Sequence, residues 1–217
     1  MTTLVLIRHG LTDWNAAGRF QGQHDIPLNE IGHLQAASMA RAVSAMGPQV
    51  LYASPLTRTR QTMAPLAEAT GLEVTHDDRL MEIHVGQWEG MTGDEVDAID
   101  PEFFAGLRAG RDMRRSPTGE TATETGERFR QALVDIVAKH PGQRIAVVSH
   151  GVALRQGIAA FLGWDWGLSQ QLGHYDNCSW ATLELHHDKQ WRLTGYGINA
   201  ATMMTLLQDP SAEQRDE

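Results

Sequence analysis

Cysteine is almost missing from this chain: Cys178 is the single thiol in 217 residues. One thiol can close no intramolecular disulfide and build no Cys-based metal site, so stability has to come from an ordinary core. Long hydrophobic runs are missing too, and no stretch approaches the about 18 consecutive apolar residues of a membrane-spanning helix. Positive charge is scarce. Eighteen Lys and Arg stand against 27 Asp and Glu, a formal net charge of −9, so the average field repels nucleic acid and other polyanions. An anion site must then be a local basic exception. Met1-Thr2-Thr3-Leu4 leads directly into the chain without the basic and apolar regions of an export signal, which sets the expectation of a soluble, cytoplasmic protein. Neither nucleic acid nor membrane is expected as a partner, and homodimer formation is left open.

With 41% hydrophobic residues, the chain can bury one sizeable core. The expected organisation is a single domain over 1–207 and a solvated tail from Gln208 to Glu217. Leu4–Ile7 is a wholly apolar, β-branch-containing run that stops at Arg8-His9-Gly10, which reads as a buried strand and a loop. From Asn29, a plausible N-cap, Ala36, Met39, Ala40, Val43 and Met46 recur at helical spacing until Gly47-Pro48. Val50–Ala53 is a second strand pattern, followed by Ser54-Pro55 and a helical stretch through about Ala69. Ile145–Val148, then Ser149-His150-Gly151 and an apolar helix to about Leu162, repeats the design. Strand followed by helix predicts an α/β fold, three layers αβα around a mostly parallel sheet. The polar, charged stretch at about 90–140 reads as a helical insertion over the active face. Trp180–Leu185 and Trp191–Tyr196, separated by His187-Asp188-Lys189, read as a hairpin at one sheet edge.

In open α/β sheets, ligands bind outside the carboxyl ends of the strands. Arg8-His9 follow the first strand, Arg58 follows the second, and His150 ends the Ile145–Val148 unit. Three distant segments thus deliver donors to one face of an acidic protein, and phosphate fits that site best. A transferring phosphoryl group needs its equatorial oxygens held while nucleophile and leaving group lie in line. Arg8 and Arg58 supply paired donors, Asn15 and His150 further ones, and two nearby guanidinium groups favour a neutral His9 with a ring nitrogen free to attack. The leaving alkoxide requires a proton, and Glu82, on a loop after a third strand-like run, is the best-placed carboxyl; Glu89 and Glu120 are the other acids.

These residues carry a resemblance. Arg8-His9-Gly10-Leu11-Thr12-Asp13-Trp14-Asn15 with Gly18-Arg19-Phe20-Gln21-Gly22, Ser54-Pro55-Leu56-Thr57-Arg58, Glu82 with Gly86-Gln87-Trp88-Glu89-Gly90, and Ser149-His150-Gly151 resemble the motifs of the histidine phosphatase superfamily, phosphoglycerate mutase-like branch. Pro117-Thr118-Gly119-Glu120-Thr121 resembles its Gly-Glu-Ser element. The resemblance implies that His9 is phosphorylated, that Arg8, Asn15, Gln21, Gly22, Arg58, His150 and Gly151 hold phosphate, and that Glu82 is the proton donor. A neutral histidine can act without a metal and no pair of the ten histidines has a His-Glu-x-x-His type of spacing, so no metal or other cofactor is expected. Leu11, where the family more often has Glu, and Thr59-Arg60 are departures.

The expected function is a metal-independent phosphomonoesterase acting through a phosphohistidine on a small phosphorylated acid or sugar. The alternatives are a phosphoglycerate mutase and an inactive phosphate-binding protein. Val85 and Gly93 stand where mutases carry substrate-facing Tyr and Lys, and Gln21-Gly22-Gln23 has the phosphatase form, which favours hydrolysis; a looser likeness is to glucosyl-3-phosphoglycerate phosphatases. Arg114-Arg115 resembles the mutase pair that holds a carboxylate. The basic run at 108–115 reads equally as a solvated helix face or as a reach toward the far end of an anionic substrate.

Overall fold

A computed structural model describes residues 1–201. The tail expected from Gln208, and the end of the domain at 207, lie outside the described residues. The elements in chain order are β1 (Thr3–Arg8), α1 (Asp13–Ala16), α2 (Glu30–Ala45), β2 (Val50–Ala53), α3 (Thr57–Thr70), β3 (Val74–His76), α4 (Gly93–Ile99), α5 (Pro101–Arg108), α6 (Ala122–Lys139), β4 (Arg144–Ser149), α7 (Gly151–Phe161), α8 (Trp166–Ser169), β5 (Trp180–Leu185) and β6 (Trp191–Ile198). They form one open mixed sheet, in the order β3-β2-β4-β1-β5-β6. The strands β3, β2, β4 and β1 run parallel, while β5 is antiparallel to β1 and β6 to β5.

Continuous apolar runs mark the central strands because both of their faces are covered. Leu4, Leu6, Ile145 and Val147 face a core shared with Phe129, Leu133 and Leu154 of α6 and α7. The alternate residues Val5, Ile7, Ala146 and Val148 face Met39, Val43, Met63 and Leu66 of α2 and α3. Three αβα layers result. The Asn29 side chain caps α2 by accepting from Gly32 N at 2.9 Å, and Ala36, Met39, Ala40 and Val43 are its buried stripe, as the periodicity predicts. The edge hairpin forms as read, with β6 at the sheet edge and Lys189 turning at φ 61°.

The stretch 90–140 divides, and this corrects its reading as a single insertion. Helices α4 and α5, with Val96 and Phe103 packed on Trp88, Ile83 and Val85, build a small separate core. By contrast, α6 belongs to the main sandwich. Its Ala122, Thr125, Gly126, Phe129, Ala132, Leu133 and Ile136 are buried at helical spacing, and they pack on α7 and the sheet. Its many charges lie on the opposite, solvated face, which is why composition masked its role.

Candidate active site

Parallel β1, β2 and β4 end side by side. His9 N donates to Ser149 O and Ser54 N to Val148 O, both at 3.0 Å, so the ladder hydrogen bonds continue past the strand ends and fix the registers of the loops. The first loop lies directly on α2. A Cβ on Gly10 would come within 2.6 Å of Gly32 O, and one on Gly32 within 2.1 Å of Leu11 O, so the two backbones touch only because both residues are glycine. Gly10 N also donates to Thr62 Oγ1 of α3 at 2.9 Å.

His9 is buried, and its Nδ1 lies 2.7 Å from Gly10 O. A carbonyl only accepts, so Nδ1 carries the proton and Nε2 presents its lone pair. Burial, and then the charges of Arg58 and Arg8, hold this ring well below the ordinary histidine value, so it is neutral. Arg58 is fully buried and fixed on three sides: Nη1 donates to His24 O at 2.7 Å, Nη2 to Gly22 O at 2.8 Å, and Nε to His150 Nδ1 at 3.1 Å. Burial lowers its pKa to about 10, which leaves it cationic at neutral pH. The Arg8 guanidinium donates to Tyr175 O and lies over Gly151, where its Nε is 3.4 Å from the point a Cβ would occupy.

A cleft of about 250 Å³ opens over these groups. Arg8, His9, Asn15, Gln21, Gly22, Arg58 and Glu82 all line it, together with Phe103, Phe104 and Leu107 of α5, and Arg115. The Gln21 side chain is buried with its Oε1 unpartnered. Asn15 sits third in α1, in a capping box with Thr12, and its Oδ1 receives Thr12 N at 3.3 Å. Glu82 caps α7 from outside that helix: Oε1 accepts from Ala153 N at 2.9 Å and Oε2 from Val152 N at 3.3 Å. Two N–H groups of the first turn of α7 are thus satisfied although its own N-cap, His150, contributes no side-chain bond.

Three of the expected residues fall elsewhere. His150 is fully buried behind Arg58 and does not line the cleft; its Nδ1 receives Arg58 Nε, and its Nε2 lies 2.8 Å from Ser54 Oγ. Burial, with Arg58 beside it, depresses its pKa well below the usual value too, so Nε2 carries the proton that Ser54 receives. Gly151 borders a side lobe of the cleft rather than its main volume. Arg114 points outward, bridging Gly119 O and Glu124, while Arg115 is buried under Phe103 and donates to Asp112 Oδ1 at 3.2 Å. The basic run therefore splits into exposed residues and one, Arg115, that faces the cleft.

The groups that hold these side chains are not marked as supports in the sequence, and Arg128 carries no motif at all. Arg128 of α6 donates to the carbonyls of Arg79 and Met81 at 2.8 and 3.0 Å and to Glu120 Oε2 at 2.8 Å, and Glu120 in turn receives His84 N at 2.9 Å. This pair grips the loop on both sides of Glu82. Ser54, which the sequence places in a motif without a role, and Thr62 are further supports, the one behind His150 and the other beneath Gly10.

Comparison with known proteins gives a consistent picture. A model described as histidine phosphatase superfamily (branch 1) matches residues 4–199. The probable phosphoglycerate mutase GpmB of Serratia proteamaculans is 36% identical over 214 residues, 99% of each chain. A mycobacterial glucosyl-3-phosphoglycerate phosphatase superposes with TM-score 0.82 at 34% identity, over 91% of this chain and 99% of that one. Phosphoserine phosphatase from Entamoeba histolytica, in complex with 3-phosphoglyceric acid, superposes with TM-score 0.81 at 28% identity, covering 93% and 100%.

Proposed function

The chain belongs to the histidine phosphatase superfamily and is an enzyme of that family; from this we propose that it is a metal-independent phosphomonoesterase whose substrate is a small phosphorylated metabolite. The observation that carries the reading is the neutral His9, its Nδ1 committed to Gly10 O and its Nε2 turned toward a cleft walled by Arg8 and Arg58. In the proposed reaction, Nε2 forms a bond to phosphorus as the ester P–O bond breaks, while Arg8, Arg58, Asn15 and Gln21 hold the three equatorial oxygens. Glu82 delivers a proton to the departing alkoxide. It then takes one from the water that attacks phosphohistidine, and phosphate leaves with His9 neutral again. His150 acts through Arg58, whose Nε it receives, and thereby keeps the guanidinium plane aimed at the phosphoryl group.

The two structural neighbours described above act on or bind phosphoesters whose glycerate or serine part carries a carboxylate, which supports a phosphorylated acid as substrate class. The mutase-named relatives favour a second reading, phosphoryl return to the substrate. Against it stands the apolar Val85 at the cleft wall. The test is incubation of the protein with aryl phosphate and a panel of phosphorylated acids and sugars, with EDTA present. Release of phosphate, trapping of acid-labile label on His9, and loss of both in His9→Ala are expected. Rapid conversion of 3-phosphoglycerate to 2-phosphoglycerate with 2,3-bisphosphoglycerate present, and little free phosphate, would replace hydrolysis by the mutase reading.

A further inference from the structure

Arginines inside proteins are ordinarily matched by carboxylates, because an isolated buried cation loses hydration it cannot recover. Among the described residues, four partly or fully buried arginines follow that rule: Arg79 with Asp77, Arg115 with Asp112, Arg128 with Glu120 and Arg130 with Glu127, all within 3.2 Å. Three do not. Arg8 and Arg58 are the arginines assigned above to the phosphoryl group, and the third is Arg155 of α7, which has no ion-pair or hydrogen-bond partner among the described residues and whose Nε is buried.

Arg155 lies one helical turn past Gly151 and Val152, on the same face of α7. It borders a lobe of about 180 Å³ whose other walls are Arg8, Glu82, Gly151, Val152 and the loop Gly173–Tyr175. Arg8, Glu82 and Val152 also line the main cleft, so the two volumes share a wall at the leaving-group side of the proposed phosphoryl site. The Arg8 Nε is likewise buried and unpartnered there. His174, exposed at the mouth, adds a further ring nitrogen.

We propose that this lobe is the subsite for a second anionic group of the substrate, a carboxylate held by Arg155 while the phosphoryl group sits between Arg8 and Arg58. The proposal rests on the phosphoester reading above and sharpens it. It also moves the acid-binding role away from the Arg114-Arg115 pair. Glu124 already neutralises Arg114 at the surface, and Asp112 neutralises Arg115, so a substrate carboxylate gains less from either than from an unmatched cation. A small phosphoester that also carries a carboxylate would satisfy Arg155; a sugar phosphate without one leaves it unsatisfied.

The experiment compares 3-phosphoglycerate with glycerol 3-phosphate, which differ by the carboxylate. Calorimetric binding is measured with His9→Ala protein, and turnover with the active chain, each with Arg155 intact, Arg155→Gln and Arg155→Lys. Arg155→Gln is expected to cost the acid about tenfold or more in affinity and in kcat/KM, with the carboxylate-free ester and an aryl phosphate nearly unaffected, and Arg155→Lys to recover part of the loss. Equal losses on both esters, no loss on either, or an intact protein that does not prefer the acid would each overturn the subsite. Preferential binding of the acid, lost in Arg155→Gln, in a protein that hydrolyses nothing would sink the phosphatase reading and leave the subsite standing.

Discussion

His9, Glu82 and Arg58 are each set by a few hydrogen bonds that decide what the side chain can do. A neutral His9 needs only the carbonyl of its neighbour to fix its tautomer, since a proton on Nδ1 leaves Nε2 as the nucleophile. Glu82 is more constrained: both its oxygens receive N–H groups from the start of α7, which places the carboxyl on the cleft wall but also gives it a capping role. The two roles separate experimentally. Glu82→Gln preserves shape and part of the cap, so the expected result is a loss of about 10²-fold or more on alkyl phosphates and much less on aryl phosphates, whose leaving groups need little protonation. Steady-state rates on a matched alkyl and aryl pair decide it, and equal losses would reduce Glu82 to a helix cap.

At the scale of elements, the site is held by contacts that tolerate no extra atom. The nucleophile loop rests on the first turn of α2 through Gly10 and Gly32. Gly32→Ala puts a methyl 2.1 Å from Leu11 O, a backbone atom that cannot rotate aside, so loop or helix must shift. A destabilisation of about 1–3 kcal/mol is expected in urea unfolding, with a drop in aryl phosphatase rate beyond that due to unfolding. Wild-type stability and rate in this variant would mean that the loop has slack. The grip of Arg128 and Glu120 on the Glu82 loop explains why α6 has to be a layer helix: an element free to move over the cleft could not fix the loop that carries the acid. The buried stripe of α6 from Ala122 to Ile136 alternates with a strongly charged face, so the composition of the stretch gives the helix but not its place in the layer.

For the molecule as a whole, two histidines held neutral in the interior tie stability to pH. Both His9 and His150 have pKa values well below 6.5 in the fold, from burial and then from neighbouring Arg58, and both return to ordinary values on unfolding. The folded state thus binds fewer protons, so stability is fully present above about pH 6.5 and is lost as pH falls below it. Up to about 1.4 kcal/mol per pH unit for each ring is expected between pH 6.5 and the depressed folded values. Urea midpoints at pH 7.5, 6.5 and 5.5 should fall steeply for the native chain. They should fall less for His9→Gln with His150→Gln; the same slope in both would show that the rings protonate inside the fold.

The amino-acid sequence alone determined the α/β class, the strand ends that carry Arg8, His9, Arg58 and His150, the α2 cap at Asn29 and the edge hairpin, because each is written in local periodicity or in a turn. Glu82 was legible as the carboxyl on the loop after a third strand-like run, and the family motifs added Gln21. Only the tertiary structure decided which of these groups face the cleft. Sheet order sets β4 between β1 and β2, which buries His150 behind Arg58 where its chain position suggested a phosphate contact. Packing also turns Arg114 out and Arg115 in, and leaves Arg155 without a carboxylate among the described residues, since whether a charge is matched depends on neighbours that lie far away along the chain. Periodicity reports which face of an element is buried; what that face meets is settled by the registers and crossovers of the assembled sheet.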